Sequence, residues 1–293
     1  MIEVAVSSYS FSQAVSDGRL ENQEATVEKA HELGFRAIEF TDIKPCADCT
    51  YEQQVESAKR IKAKADSLGM VICSYAIGAS LYNDDEALEK AEVERVKKQV
   101  LIAEILGAKI MRHDVCYQIS KINRSFDLML PRIAANTREI AEFAQAHGVK
   151  TCTENHGYIV QDSDRVEKLF NAVNHPNYGI LVDIGNFMCV DENPLTAVSR
   201  VAPYAIHAHA KDMHVVTEGQ DIEGSFVTRG GNNMYGTVIG EGDVPVKKCI
   251  TALNRAGYEG YMVIEYEGKD DCIRGIAKGK AFLEKTIEEI LNK

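Results

Sequence analysis

Leu106-Gly107-Ala108-Lys109-Ile110-Met111-Arg112 decides the fold, because a single glycine there joins the end of an amphipathic helix to the start of an apolar strand. The preceding run keeps Val93, Val96, Val100, Ala103 and Leu106 on one face, the spacing of a helix buried on one side. Glycine just past a last turn accepts the left-handed backbone that ends such a helix, since no Cβ opposes positive φ. The phrase returns at Leu33-Gly34-Phe35, Leu68-Gly69-Met70, His147-Gly148-Val149 and Ala256-Gly257-Tyr258, each ahead of a short apolar run. Successive copies stand roughly 40 residues apart, and the gap between Gly148 and Gly257 leaves room for three more units.

With Ile2 to Ser8 as the first strand, the count is eight, near 2–8, 36–41, 70–75, 108–113, 149–154, 178–183, 204–210 and 260–265, with helices between them. The stripe Ile273, Ile276, Leu283, Ile287 and Ile290 marks the last helix. Alternating strands and helices imply a parallel sheet with right-handed crossovers, and eight units most economically close on themselves. The predicted fold is therefore α/β, a (β/α)8 TIM barrel forming one domain over residues 1–293. An open doubly wound sheet is the runner-up, but no G-x-G-x-x-G follows the first strand. The connection from Asp212 to Asp243 is too long for a plain turn and is expected to be a lid or substrate loop with small elements of its own.

The formal net charge of −11 and the lack of clustered Lys and Arg oppose a nucleic-acid partner. No run of 18 apolar residues and no leader-like start are present, so no membrane association is expected and the predicted location is cytoplasmic. Eight scattered cysteines read as reduced core residues rather than a disulfide framework, and Cys46-x-x-Cys49 lacks the partners of a zinc set.

In a barrel the chemistry sits where strands end. Strand five ends in Glu154, strand six in Asp183, strand seven in His209 and strand eight in Glu265, each directly after an apolar run. Singly these are first solvated residues, a turn cap or a core histidine; together, three carboxylates at one end repel one another unless a cation neutralises them. Three carboxylates and an imidazole suit one divalent ion, with Mn²⁺ favoured and Mg²⁺, Co²⁺ or Zn²⁺ also compatible. Strand alternation puts His207 one layer below His209 and sets Lys211 and His156 on the rim, facing substrate oxygens. His113 at the end of strand four, Asn186 after Asp183 and Arg229 in the long loop complete the expected substrate contacts.

E-N-H-G at Glu154 to Gly157, D-x-G-N at Asp183 to Asn186, H-x-H-x-K-D at His207 to Asp212, G-x-G-D-V-P at Gly240 to Pro245 and I-E-Y-E at Ile264 to Glu267 carry a resemblance. The whole chain resembles the xylose isomerase-like TIM-barrel superfamily of sugar phosphate isomerases and epimerases. The resemblance implies that Glu154, Asp183, His209 and Glu265 hold the metal, and that Glu154 and Glu265 act as the acid/base pair, as in ketose 3-epimerases. Those epimerases have a His shortly after the strand-six Asp, whereas this sequence has Asn186, which weakens the transfer of their substrate to this chain. The implied activity is metal-dependent isomerisation or epimerisation of a small carbohydrate through an enediolate, by a chain that can form homo-oligomers. The alternatives are a dehydratase or lyase acting on an inosose or keto-sugar, an apurinic-endonuclease-like phosphodiesterase, and a non-catalytic sugar-binding barrel.

Overall fold

Eight parallel strands close into a barrel in the computed structural model, which describes residues 1–217 and 222–292. They are β1 (Ile2–Ser7), β2 (Ala37–Thr41), β3 (Val71–Ile77), β4 (Ile110–His113), β5 (Lys150–Glu154), β6 (Tyr178–Asp183), β7 (Ala205–Ala210) and β11 (Gly260–Ile264), and β11 pairs with both β1 and β7. The strands expected from the glycine phrase are thus all present, shifted by a residue or two at their ends. Gly107 and Gly257 carry the positive φ that the phrase demands, 72° and 85°. The α-helices among the described residues are α1 (Ser12–Ser16), α2 (Thr26–Glu32), α3 (Tyr51–Ser67), α4 (Glu86–Leu106), α5 (Phe126–Ala146), α6 (Ser163–Val173), α7 (Pro194–Val201), α8 (Val246–Arg255) and α9 (Cys272–Leu291). Val93, Val96, Val100, Ala103 and Leu106 of α4 are buried, as their spacing requires. No described helix is long and apolar enough to cross a membrane.

Outward-facing strand residues such as Ile38, Phe40, Tyr75 and Met111 pack with the helices into the main core. Inside the barrel a smaller cluster of Ala5, Ala37, Cys73 and Val263 closes the N-terminal end as a dry floor. Two bulges break the alternation above it. Ile38 pairs with Ile72 but Glu39 with Ser74, so Cys73 and Ser74 both point inward, and β7 carries Ile206 as a surplus residue opposite the Ile180–Leu181 step. Ile206 leans on β6 so closely that a Cβ at Gly179 would lie 2.6 Å from its Cγ2, which is why that strand has a glycine there.

The long connection forms a small antiparallel sheet of β8 (Asp212–Val215), β9 (Phe226–Val227) and β10 (Asn233–Thr237), in the order β8-β10-β9. Residues 218–221 of the expected lid lie outside the described residues. Buried Asp212 gathers the base of this sheet by accepting hydrogen bonds from the backbone N–H groups of Met213, Gly240, Gly242 and Val244 at 2.8–3.1 Å. A Cβ at Gly242 would stand 2.1 Å from Asp212 Oδ1, so only glycine allows this approach. Asp191 holds the far turn by accepting from Thr228 Oγ1, Gly230 N and Asn232 Nδ2 at 2.6–2.8 Å.

Candidate metal centre

Each predicted ligand is aimed by its strand end. Asn155, just past β5, exchanges two 2.9 Å hydrogen bonds with the Asp183 backbone and so extends the β5–β6 pairing by one step. Asp183 Oδ1 then accepts from the N–H groups of Gly185 and Asn186 at 2.7 and 2.9 Å. That is the turn-capping role weighed from sequence, and it occupies only one oxygen. The other, Oδ2, is buried without a hydrogen bond and turns to the barrel axis. His209 Nδ1 is likewise buried without a hydrogen bond, 3.8 Å from Glu154 Oε1, 4.0 Å from Asp183 Oδ2 and 3.7 Å from Glu265 Oε1. The four ligand atoms of Glu154, Asp183, His209 and Glu265 lie within 4.8 Å of one another. Three carboxylate oxygens and one imidazole nitrogen around a shared point, two of them left unsatisfied, fit a hard or borderline divalent cation.

Cationic side chains compensate part of this charge. Arg112 Nη2 reaches Glu154 Oε2 at 2.7 Å and Asp114 Oδ1 at 2.9 Å, while Glu154 Oε1 accepts from Asn186 Nδ2 at 2.8 Å. Lys211 Nζ lies 2.5 Å from Glu265 Oε2, 3.2 Å from Glu267 Oε1 and 3.5 Å from Asp183 Oδ2, and donates to Asn186 Oδ1 at 3.2 Å. Burial, reinforced by Glu154 and Glu265, outweighs Lys211 and pushes the Asp183 carboxyl up to about 6. Burial also opposes the charge on Glu265, yet Lys211 and His209 hold its carboxyl well below the usual range.

His156, on the loop after β5, places Nδ1 3.0 Å from Asp114 Oδ1, whose second oxygen accepts from the Tyr117 hydroxyl at 2.6 Å. Burial favours its neutral form, but Asp114 prevails and raises its pKa. A cavity of about 200 Å³ is bounded by His156, Tyr158, Asn186, Lys211, Phe226 and Glu267, and Asn186 and Lys211 link it to Glu154 and Glu265 of the cluster. Of the expected substrate contacts, His156, Asn186 and Lys211 therefore converge on one space.

Two do not. His113 is fully buried on the helix side of β4, where Nδ1 lies 2.9 Å from the Asp114 carbonyl and burial drops its pKa to about 4. The cause is parity: Arg112 takes the inward position, so its neighbour faces out. Arg229 bonds the Tyr158 carbonyl at 3.1 Å and Asp162 Oδ2 at 2.8 Å, pinning the long loop to the β5–α6 loop instead of entering the cavity. Conversely, Arg112, Asp114, Glu267 and Glu39 join the site without being among the expected contacts. The available signal for Glu39 and Arg112 was a charged residue inside an apolar parallel strand, A-I-E-F and I-M-R-H, where both faces are buried.

Comparison with known proteins agrees with this architecture. The chain is 29% identical over 139 residues to inosose dehydratase 1 of Bacillus cereus, 46% of each chain, so it matches about half the length of that relative. Among solved structures, an L-ribulose 3-epimerase superposes with a TM-score of 0.74 at 17% identity, over 100% of this chain and 96% of that one. The IOLI protein, crystallised with a zinc atom, gives a TM-score of 0.76 at 13% identity over 99% of both chains. At such identities these structures share the fold. The family model described as xylose isomerase-like TIM barrel matches residues 27–286. The chain belongs to the xylose isomerase-like TIM-barrel family.

Proposed function

We propose that this chain is a divalent-metal-dependent enzyme that isomerises or epimerises a small polyhydroxylated carbonyl compound by moving a proton on a carbon next to the carbonyl. The observation that carries this reading is the cluster of Glu154, Asp183, His209 and Glu265, with Asp183 Oδ2 and His209 Nδ1 left without hydrogen bonds. An ion held by these four would polarise the carbonyl and stabilise the developing oxyanion. The rest is the chain's own work. Arg112 anchors Glu154 through Oε2, and Glu154 takes the proton. Lys211, 2.5 Å from Glu265 Oε2, passes a proton to that carboxylate, which delivers it to the carbon while Glu154 keeps the one it took. Asn186 bridges the two through its amide, donating to Glu154 Oε1 and accepting from Lys211 Nζ. The cavity of about 200 Å³ suits a single sugar or polyol ring, and Mn²⁺ is the ion the donor set favours.

The His156–Asp114 pair favours a second reading, dehydration. A histidine held by a buried carboxylate, with its pKa raised and its ring at the cavity wall, is placed to protonate a departing β-hydroxyl. The relatives named as inosose dehydratases support the same alternative. Incubation with ketoses, inososes and 3-keto sugars in D₂O, with Mn²⁺ or with chelator, tests both. Deuterium uptake into substrate or stereoisomer supports the first reading, and a dehydrated product absorbing in the ultraviolet supports the second. Absence of metal-dependent exchange and of product across the panel would defeat the proposal.

A further inference from the structure

Glu39 has 0% exposure, inside the barrel and one tier below the four clustered groups. An isolated carboxylate there is costly, so its partners define what it does. Ser74 Oγ donates to Glu39 Oε2 at 2.6 Å, and His207 Nε2 lies 3.1 Å from the same oxygen and 2.8 Å from Ser74 Oγ. The third partner is His209 Nε2, also at 3.1 Å. The His209 ring therefore has one carboxylate behind Nε2 and three in front of Nδ1. Both inward-facing donors depend on the bulges, which bring Ser74 inward on β3 and His207 into register on β7.

We propose that Glu39 is a positioning residue. It holds His209 with the proton on Nε2 and the Nδ1 lone pair turned to the mouth, and thereby sets the affinity for the divalent ion. This rests on the metal reading above. A carboxylate that accepts the second N–H of a ligating imidazole fixes its tautomer and orientation and makes it the more basic donor. Glu39, His207 and His209 could themselves surround an ion by their spacing alone. Hydrogen bonding accounts better for the trio, because Ser74 supplies a hydroxyl proton to the same oxygen and every member is at most 1% exposed, with no path for an ion from solvent.

Calorimetric titration of chelator-stripped full-length protein with Mn²⁺ tests this, on wild type, Glu39→Gln, Glu39→Asp and Ser74→Ala. The expected result is one ion per chain throughout, with affinity about 10- to 100-fold weaker in Glu39→Gln, partly restored in Glu39→Asp and reduced less in Ser74→Ala. Wild type that binds no ion overturns the metal reading, and this inference with it. Wild type that binds while Glu39→Gln keeps its full affinity overturns this inference alone. Two ions in wild type and one in Glu39→Gln would make Glu39 a ligand and overturn its positioning role. Should Glu39→Gln fail to fold, histidine ¹⁵N spectra of zinc-loaded wild type decide: His209 bound through Nδ1 with a proton on Nε2 supports the role, and binding through Nε2 refutes it.

Discussion

Arg112 Nη2 bonds Glu154 Oε2 and Asp114 Oδ1 at once, at 2.7 and 2.9 Å, so one buried guanidinium neutralises a proposed ligand and the carboxylate that orients His156. Arg112→Met strands both carboxylates in the barrel. Breaking a buried ion pair by removing one partner costs about 3–5 kcal/mol, and that loss is expected in urea unfolding of the metal-free protein. A change below about 1 kcal/mol would mean that water already solvates the pair.

The raised Asp183 carboxyl sets a pH dependence. Its folded-state value of about 6 lies above the ordinary 3.8, so in the metal-free protein this group contributes stability that is complete below 3.8 and lost as pH rises through about 6. Ion binding requires the carboxylate and runs the other way. The rise in Tm on adding Mn²⁺ is therefore expected to grow between about pH 5 and about pH 7. A gain that stays flat across that range in thermal scans would contradict this assignment.

Asp212 accepts four backbone N–H groups at the base of the β8–β10 sheet. Asp212→Ala leaves them without an acceptor, at a cost of about 1–3 kcal/mol for each group that stays buried. The expected outcome is faster limited proteolysis within residues 213–243, with one ion still bound per chain. Unchanged cleavage kinetics would show that strand pairing alone holds the segment.

Arg229 provides the contrast. Its bond to Asp162 joins two loops at the surface, and pairs so placed contribute about 0–1 kcal/mol. Arg229→Ala should shift stability within that range and leave Mn²⁺ affinity unchanged. A tenfold loss of ion affinity on calorimetry would restore Arg229 to the site.

The repeat of helix, glycine and strand was legible because it is local: one residue type at a defined conformation closes each unit, and the apolar spacing lies within a few turns of it. The residues at four strand ends are legible because Asp183 and Glu265 follow apolar runs directly, and Glu154 and His209 stand at the matching ends of strands five and seven. Glu39 was hidden, since its partners Ser74, His207 and His209 are distant in the chain and Ser74 faces inward only through a bulge that no periodicity announces. His113 was misplaced for a related reason. The strands do not all end on the same parity, and β4 presents its penultimate residue, Arg112, to the interior.

On β3, Cys73 completes the dry floor and the very next residue, Ser74, joins the charged tier above it, with Sγ and Oγ only 3.9 Å apart. A regular strand needs two residues, about 6.6 Å, to travel between successive inward positions, and the surplus residue compresses that to about 3.3 Å. Ser74, Glu39 and His207 are 0–1% exposed. The floor acts as a gasket, so an ion or proton bound for His209 would have to arrive from one direction, the open mouth where a substrate would also enter.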